Sequence, residues 1–161
     1  MKPKLLIFIL SFMLLYGCSN ENDDLTVEIE TFLLRLETQI VLPSPGSGNS
    51  ISFSEGDKIV FHYILQRPQN PNIADDEVSE NIVFQIDSNL TEFNYSNQDL
   101  IPLMTHYFES CFCLPESVEI ISGNVSGQKI NETKWDLTLD LNINFQGSTI
   151  TKNIIGRFSP Q

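Results

Sequence analysis

One run of eleven residues does most to limit what this chain can fold into. Trp135, Leu137, Leu139, Leu141, Ile143 and Phe145 alternate with Asp136, Thr138, Asp140, Asn142 and Asn144. A helix would scatter the apolar set around its circumference, whereas a strand puts all six on one face. Gln146-Gly147-Ser148 then makes a short turn, and Thr149–Phe158 returns with Ile150, Ile154 and Phe158. The pattern predicts an antiparallel hairpin with one face in a core and one in water.

The rest of the chain reads mainly as strands too. Residues 26–42 carry Val27, Ile29 and Thr31 between acids, as a half-buried strand does, although Phe32, Leu33, Leu36 and Ile40 also fit a helical face. The β-branched content favours strand. Pro43–Ser50 is a loop of residues that set or relax φ. Lys58–Gln66 is apolar at both parities, which suits a central strand of a sandwich. Pro68–Glu80 reads as a second long loop, Asn81–Ile86 as a strand, Leu90–Tyr95 as a weaker one, and Val118–Gly123 as the start of the C-terminal β region. The segment Asp99–Cys111 differs. Leu100, Leu103, Met104, Tyr107, Phe108 and Cys111 recur at helical spacing, with Asp99 placed as an N-cap and Pro102 in the first turn. The expected fold is therefore mainly β: an antiparallel β-sandwich, Ig-like or an open barrel-like sheet, with one short helix near 99–111. A lipocalin-like barrel is the second architecture.

At the start of the chain, Lys2 and Lys4 precede an almost wholly apolar stretch, Leu5–Leu15. A positive start, a short apolar core and small-residue cleavage chemistry are the pattern of a secretory signal, too short to span a membrane comfortably. Leu15-Tyr16-Gly17-Cys18 resembles the lipobox of bacterial lipoproteins. That resemblance implies cleavage between Gly17 and Cys18, a diacylglyceryl thioether on the Cys18 sulfur and an acyl chain on its amine. Each buried methylene adds about 0.8 kcal/mol, so two or three chains anchor the protein where one would not. The polar run after it, with Glu21, Asp23 and Asp24, resembles the acidic export tether of Bacteroidota-type lipoproteins. It implies an outer-membrane lipid anchor, at the cell surface rather than on the periplasmic face. The expected organisation is a signal peptide over 1–17, a flexible acidic tether over 18–25 and one β-rich domain over 26–161.

Charge narrows the partners. Nine basic residues face 21 acidic ones, a formal net charge of −12, and loss of Lys2 and Lys4 with the signal makes it more negative still. Binding to phosphate draws on Lys and Arg, so nucleic acid is excluded as a partner. With Cys18 assigned to the lipid, Cys111 and Cys113 remain as a disulfide or thiol pair. In a strand their Cα atoms stand about 6.6–6.8 Å apart, at the outer limit for a bridge.

Motifs for chemistry are sparse. His106, Cys111 and Cys113, with His62 elsewhere, match no zinc spacing, and His106 is expected to be exposed. Asp75, Asp76, Glu77 and Glu80 lack the alternation and glycine of a calcium loop and read as solvated. No Gly-x-Ser-x-Gly elbow and no Gly-rich phosphate loop occurs. Tyr63, Phe93, Tyr95, Tyr107 and Phe112 are candidates to line a carbohydrate or partner surface, with the core as the alternative. These readings lead to no catalytic residue, no metal site and no cofactor. The expected function is a lipid-anchored envelope protein, not an enzyme, that binds or assembles with a protein or glycan partner. The alternatives are a glycan hydrolase with a carboxylate pair and a barrel carrying a small apolar ligand.

Overall fold

The computed structural model describes residues 27–43, 51–69, 77–111 and 117–160. Cys18, Cys113, Phe112, Asp75 and Asp76, the signal and the tether lie outside them. Eleven strands follow in order: β1 (Ile29–Arg35), β2 (Thr38–Val41), β3 (Ser52–Glu55), β4 (Lys58–Gln66), β5 (Ser79–Asp87), β6 (Glu92–Ser96), β7 (His106–Ser110), β8 (Ser117–Glu119), β9 (Gly123–Asn131), β10 (Lys134–Phe145) and β11 (Ser148–Phe158). They form a five-stranded sheet, β1-β4-β5-β7-β8, a four-stranded sheet, β11-β10-β9-β6, and a two-stranded hairpin, β2-β3, all with antiparallel pairs. The architecture is a β-sandwich, and no closed barrel forms among the described residues. At one margin Ser159 bridges to Leu33 in parallel, with Leu34 N–H donating to the Ser159 carbonyl at 3.0 Å.

The β10–β11 hairpin forms as its alternation dictates, in register from Trp135↔Phe158 to Phe145↔Ser148. Its inward set meets the inward set of β4 and β5 in one core. Trp135, Phe61, Phe84 and Phe158 are fully buried there, with Phe61 stacked on Phe84 at 5.0 Å and edge-on to Trp135 at 5.6 Å. Aromatic rings at these spacings fill the interior rather than enclose a cavity.

The outer face of the five-stranded sheet is also covered. The β2–β3 hairpin folds over it, packing Ile40, Ile51 and Phe53 on Val60, Val83, Met104 and Phe108. Ile40 N–H donates to Gln85 Oε1 at 2.8 Å, which ties the hairpin down. This second small core explains why β4 is apolar at both parities: it is central, and buried on both faces.

The helix is shorter than its apolar stripe suggests. A 3-10 helix covers Asn97–Leu103, with Ser96 rather than Asp99 as N-cap and Pro102 near its end. Met104 then takes a left-handed conformation (φ 52°) and breaks the run. Residues His106–Ser110 form β7 instead, paired with β5 and β8. Tyr107 faces the main core and Phe108 the hairpin core. A strand apolar on both faces loses its period-2 signature and here mimicked a helical stripe.

Candidate functional site

The two outer faces of the sandwich are unlike. One lies under the β2–β3 hairpin, whereas the other, on β6-β9-β10-β11, is bare among the described residues. Register builds it in rows. Glu92, Gln128, Asp136 and Arg157 are cross-strand partners, and Asn94, Ser126, Thr138 and Ile155 form the next row. These side chains and the backbone beneath them line an open groove of about 930 Å³.

Two glycines let this sheet lie close to its core. A Cβ on Gly127 would stand 2.2 Å from Leu137 Cδ2 and 2.7 Å from the Phe93 ring. One on Gly156 would stand 2.1 Å from the Phe32 ring. Each glycine is thus the slot for an aromatic ring beneath the groove floor.

The groove is almost uncharged despite the acidic chain. Asp136 grips Arg157 with both oxygens, accepting from Nε at 2.6 Å and from the second guanidinium nitrogen at 2.8 Å. That hydrogen bond holds the Asp136 carboxyl below, and the Arg157 guanidinium above, its ordinary value. Glu92 is the remaining charged lining residue. Beyond the groove the face carries exposed Asp140 among amides and hydroxyls: Asn124 Nδ2 donates to Asn94 Oδ1 at 2.7 Å, and Thr151 and Thr149 donate to Asn142 and Asn144, each at 3.1 Å. Ile155 is the apolar exception in the groove lining, an isoleucine 81% exposed at the β11 end of its row.

Two other polar clusters are built inward. Glu80 lies on β5, not in a solvated loop, and is 3% exposed. Arg67 Nε donates to its Oε1 at 2.9 Å, and Lys152 pairs with Oε2 from the facing sheet. Burial alone would raise the Glu80 pKa, but the hydrogen bonds from Lys152 and Arg67 more than offset it and lower it. Glu109 is its cross-strand partner and accepts from the Tyr107 hydroxyl at 2.9 Å, while Tyr63 donates to Glu30 at 2.8 Å. Burial, then these carboxylates, push both phenol pKa values up. A lowered Glu80 and two raised phenols are the reverse of an acid catalyst and an activated phenol.

His62 is the centre of the second cluster. It is buried on the hairpin side, with Phe53 and Phe108 rings at 5.7 and 6.2 Å. Its Nε2–H donates to Asn81 Oδ1 at 2.9 Å, and burial lowers its pKa. His106 is buried as well, contrary to the expected exposure, because β7 turns it under the same hairpin layer, where Nδ1–H donates to the Met104 carbonyl at 3.0 Å.

The remaining sequence candidates separate. Tyr63, Phe93 and Tyr107 belong to the core and Tyr95 is half-buried, so none is an exposed binding platform. Cys111 is disulfide-bonded, and Cys113, like the lipidation residue Cys18, lies outside the described residues. No group of three His, Cys, Asp or Glu side chains among the described residues could hold a metal, and no described helix is long and apolar enough to cross a membrane. The groove was not foreseen. The outward parity of β10 announced a wet face, but only strand register brings in its partners from β6, β9 and β11.

Fold and face together define a β-sandwich with one sheet covered and the other open and polar. The chain matches no protein-family model, no curated protein and no solved structure.

Proposed function

We propose that this is a lipid-anchored envelope protein, held at the outer membrane through Cys18 and exposed at the cell surface. Its β domain acts as a non-catalytic binding module through the open face of β6-β9-β10-β11. The observation that carries this reading is the asymmetry of the sandwich. A hairpin with its own apolar core covers one outer face, while the other holds a groove of polar side chains over a rigid, glycine-fitted floor. A preformed surface loses little ordering entropy on binding.

The alternatives find less support. A hydrolase acid needs a raised carboxyl pKa, yet ion pairing holds the Glu80 and Asp136 carboxyls below their ordinary value. A carrier needs an internal cavity, and this interior is packed with aromatic rings.

Two experiments test the reading. Cys18→Ser should release the protein from the membrane pellet, and protease shaving of intact cells should remove the unaltered chain. A photo-crosslinking residue at position 155 should form an adduct in cells, and one at position 54 on the hairpin should not. Adducts from position 54 alone, or from neither, would sink the assignment of the face.

A further inference from the structure

We infer that the groove takes an uncharged oligosaccharide, a deepening that rests on the binding role just proposed. The first argument is charge. In a chain of formal charge −12, the groove contains Glu92, Asp136 and Arg157 as its charged residues, and two of these neutralise each other. Its cation has Nε and one terminal nitrogen bonded to the two oxygens of Asp136, so sulfate or uronate meets a neutralised pair instead of a free guanidinium fork. A polycation would find a single unpaired carboxylate, too little for electrostatic capture.

The second argument is hydrogen-bond chemistry. Sugar hydroxyls donate and accept at once, and so do the side chains that match them: amides at Asn94 and Gln128, hydroxyls at Ser126 and Thr138. The groove crosses four adjacent strands, β6, β9, β10 and β11, about 4.8 Å apart, and so spans about 14 Å, the scale of a short chain rather than a single ring. Ile155 supplies an apolar spot for the C–H face of a ring, which accounts for an isoleucine left 81% exposed.

A protein partner fits the groove less well. Protein interfaces concentrate aromatic, Met and free Arg side chains at their centre. Here Phe93 turns inward to the core.

The test is the full chain in detergent, applied to an array of neutral glucan, mannan and xylan oligosaccharides beside uronate and sulfated ones. Hits are then titrated by calorimetry. At least one neutral oligosaccharide should bind, and Ile155→Asp and Thr138→Tyr should each weaken it about tenfold or more. Asn144→Ala, on the same sheet beyond the groove, should not. Unchanged emission from Trp135 checks that each variant is folded. An array silent for neutral sugars, or answering only to charged ones, overturns the inference. If crosslinks from position 155 then capture a cellular partner, the binding face survives without the sugar. Tight sugar binding that ignores both groove substitutions overturns the inference and the face together.

Discussion

Lys152 reaches inward from β11 to the Glu80 carboxylate on β5, so that one ion pair joins the two layers of the sandwich. Glu80 is almost fully buried, while the Lys152 side chain is 20% exposed. Removing one partner of a buried pair leaves a charge without compensation, which exceeds the value of the pair itself. Because Arg67 still holds the other oxygen, Lys152→Met should destabilise by about 2–3 kcal/mol. Urea melts followed by Trp135 emission measure this. Glu80 has a lowered pKa in the folded state, so its contribution is present above the ordinary carboxylate value and is lost as pH falls through the folded one. The gap between native and variant should therefore narrow on acidification. A gap that stays constant into that range would show that the ion pair does not carry the effect.

His62 gives a second pH dependence, in a different window. Its neutral ring sits between Phe53 and Phe108, with Asn81 as hydrogen-bond partner and the Arg35 charge nearby. Burial first, and Arg35 after it, lower its pKa, while the Asn81 hydrogen bond opposes them. The unfolded chain thus binds a proton that the folded chain refuses. Stability should fall as pH drops below about 6.5, the ordinary imidazole value, towards the folded pKa. His62→Phe should flatten the melting temperature across that window and leave the carboxylate window in place. An equal slope in both proteins would clear His62 of the effect.

Gly127 and Gly156 should not tolerate a methyl group. At Gly127 both obstructing side chains, Leu137 and Phe93, are buried and cannot swing into solvent. At Gly156 the obstacle is the Phe32 ring, packed 5.3 Å from Phe158 and 5.5 Å from Tyr63. Overpacking of this kind costs roughly 1–3 kcal/mol. Gly127→Ala and Gly156→Ala should each lose stability in that range, and Phe32→Leu should restore part of the second loss but none of the first. Additive behaviour of Gly156→Ala with Phe32→Leu would argue against the ring contact as the cause.

These glycines also show where sequence reasoning stops. β10 and β11 were legible because one face is wet and one dry, so the residue alphabet alternates. β9 was not: its inward positions include Gly127, and Val125 is its one fully buried apolar residue, so it has no hydrophobic run to detect. Its place comes from Phe93 and Leu137, which lie 34 and 10 residues away in sequence. β7 failed for the opposite reason, since both of its faces are covered and the apolar residues Tyr107 and Phe108 stand side by side. The groove combines the two problems. Its side chains are ordinary polar residues, informative only once register has set Ser126 beside Thr138 and Thr138 beside Ile155.

The Asp136–Arg157 pair makes the last prediction. Both side chains are about half exposed, and such pairs add little to stability because water already screens the charges. Asp136→Asn should leave the melting temperature essentially unchanged. Its effect belongs to selectivity. Without the carboxylate, the Arg157 fork becomes a free bidentate donor set, suited to sulfate or uronate. The variant should gain binding to acidic oligosaccharides that the native chain ignores, and the gain should weaken with salt, as a charge interaction does. Neutral oligosaccharides, held mainly by Asn94, Ser126 and Thr138 one row away, should be affected less. Titrating both ligand types against native and variant at low and high ionic strength would measure this exchange. Unchanged exclusion of anions in Asp136→Asn would mean that the acidity of the whole chain, and not this pair, sets the charge preference of the groove.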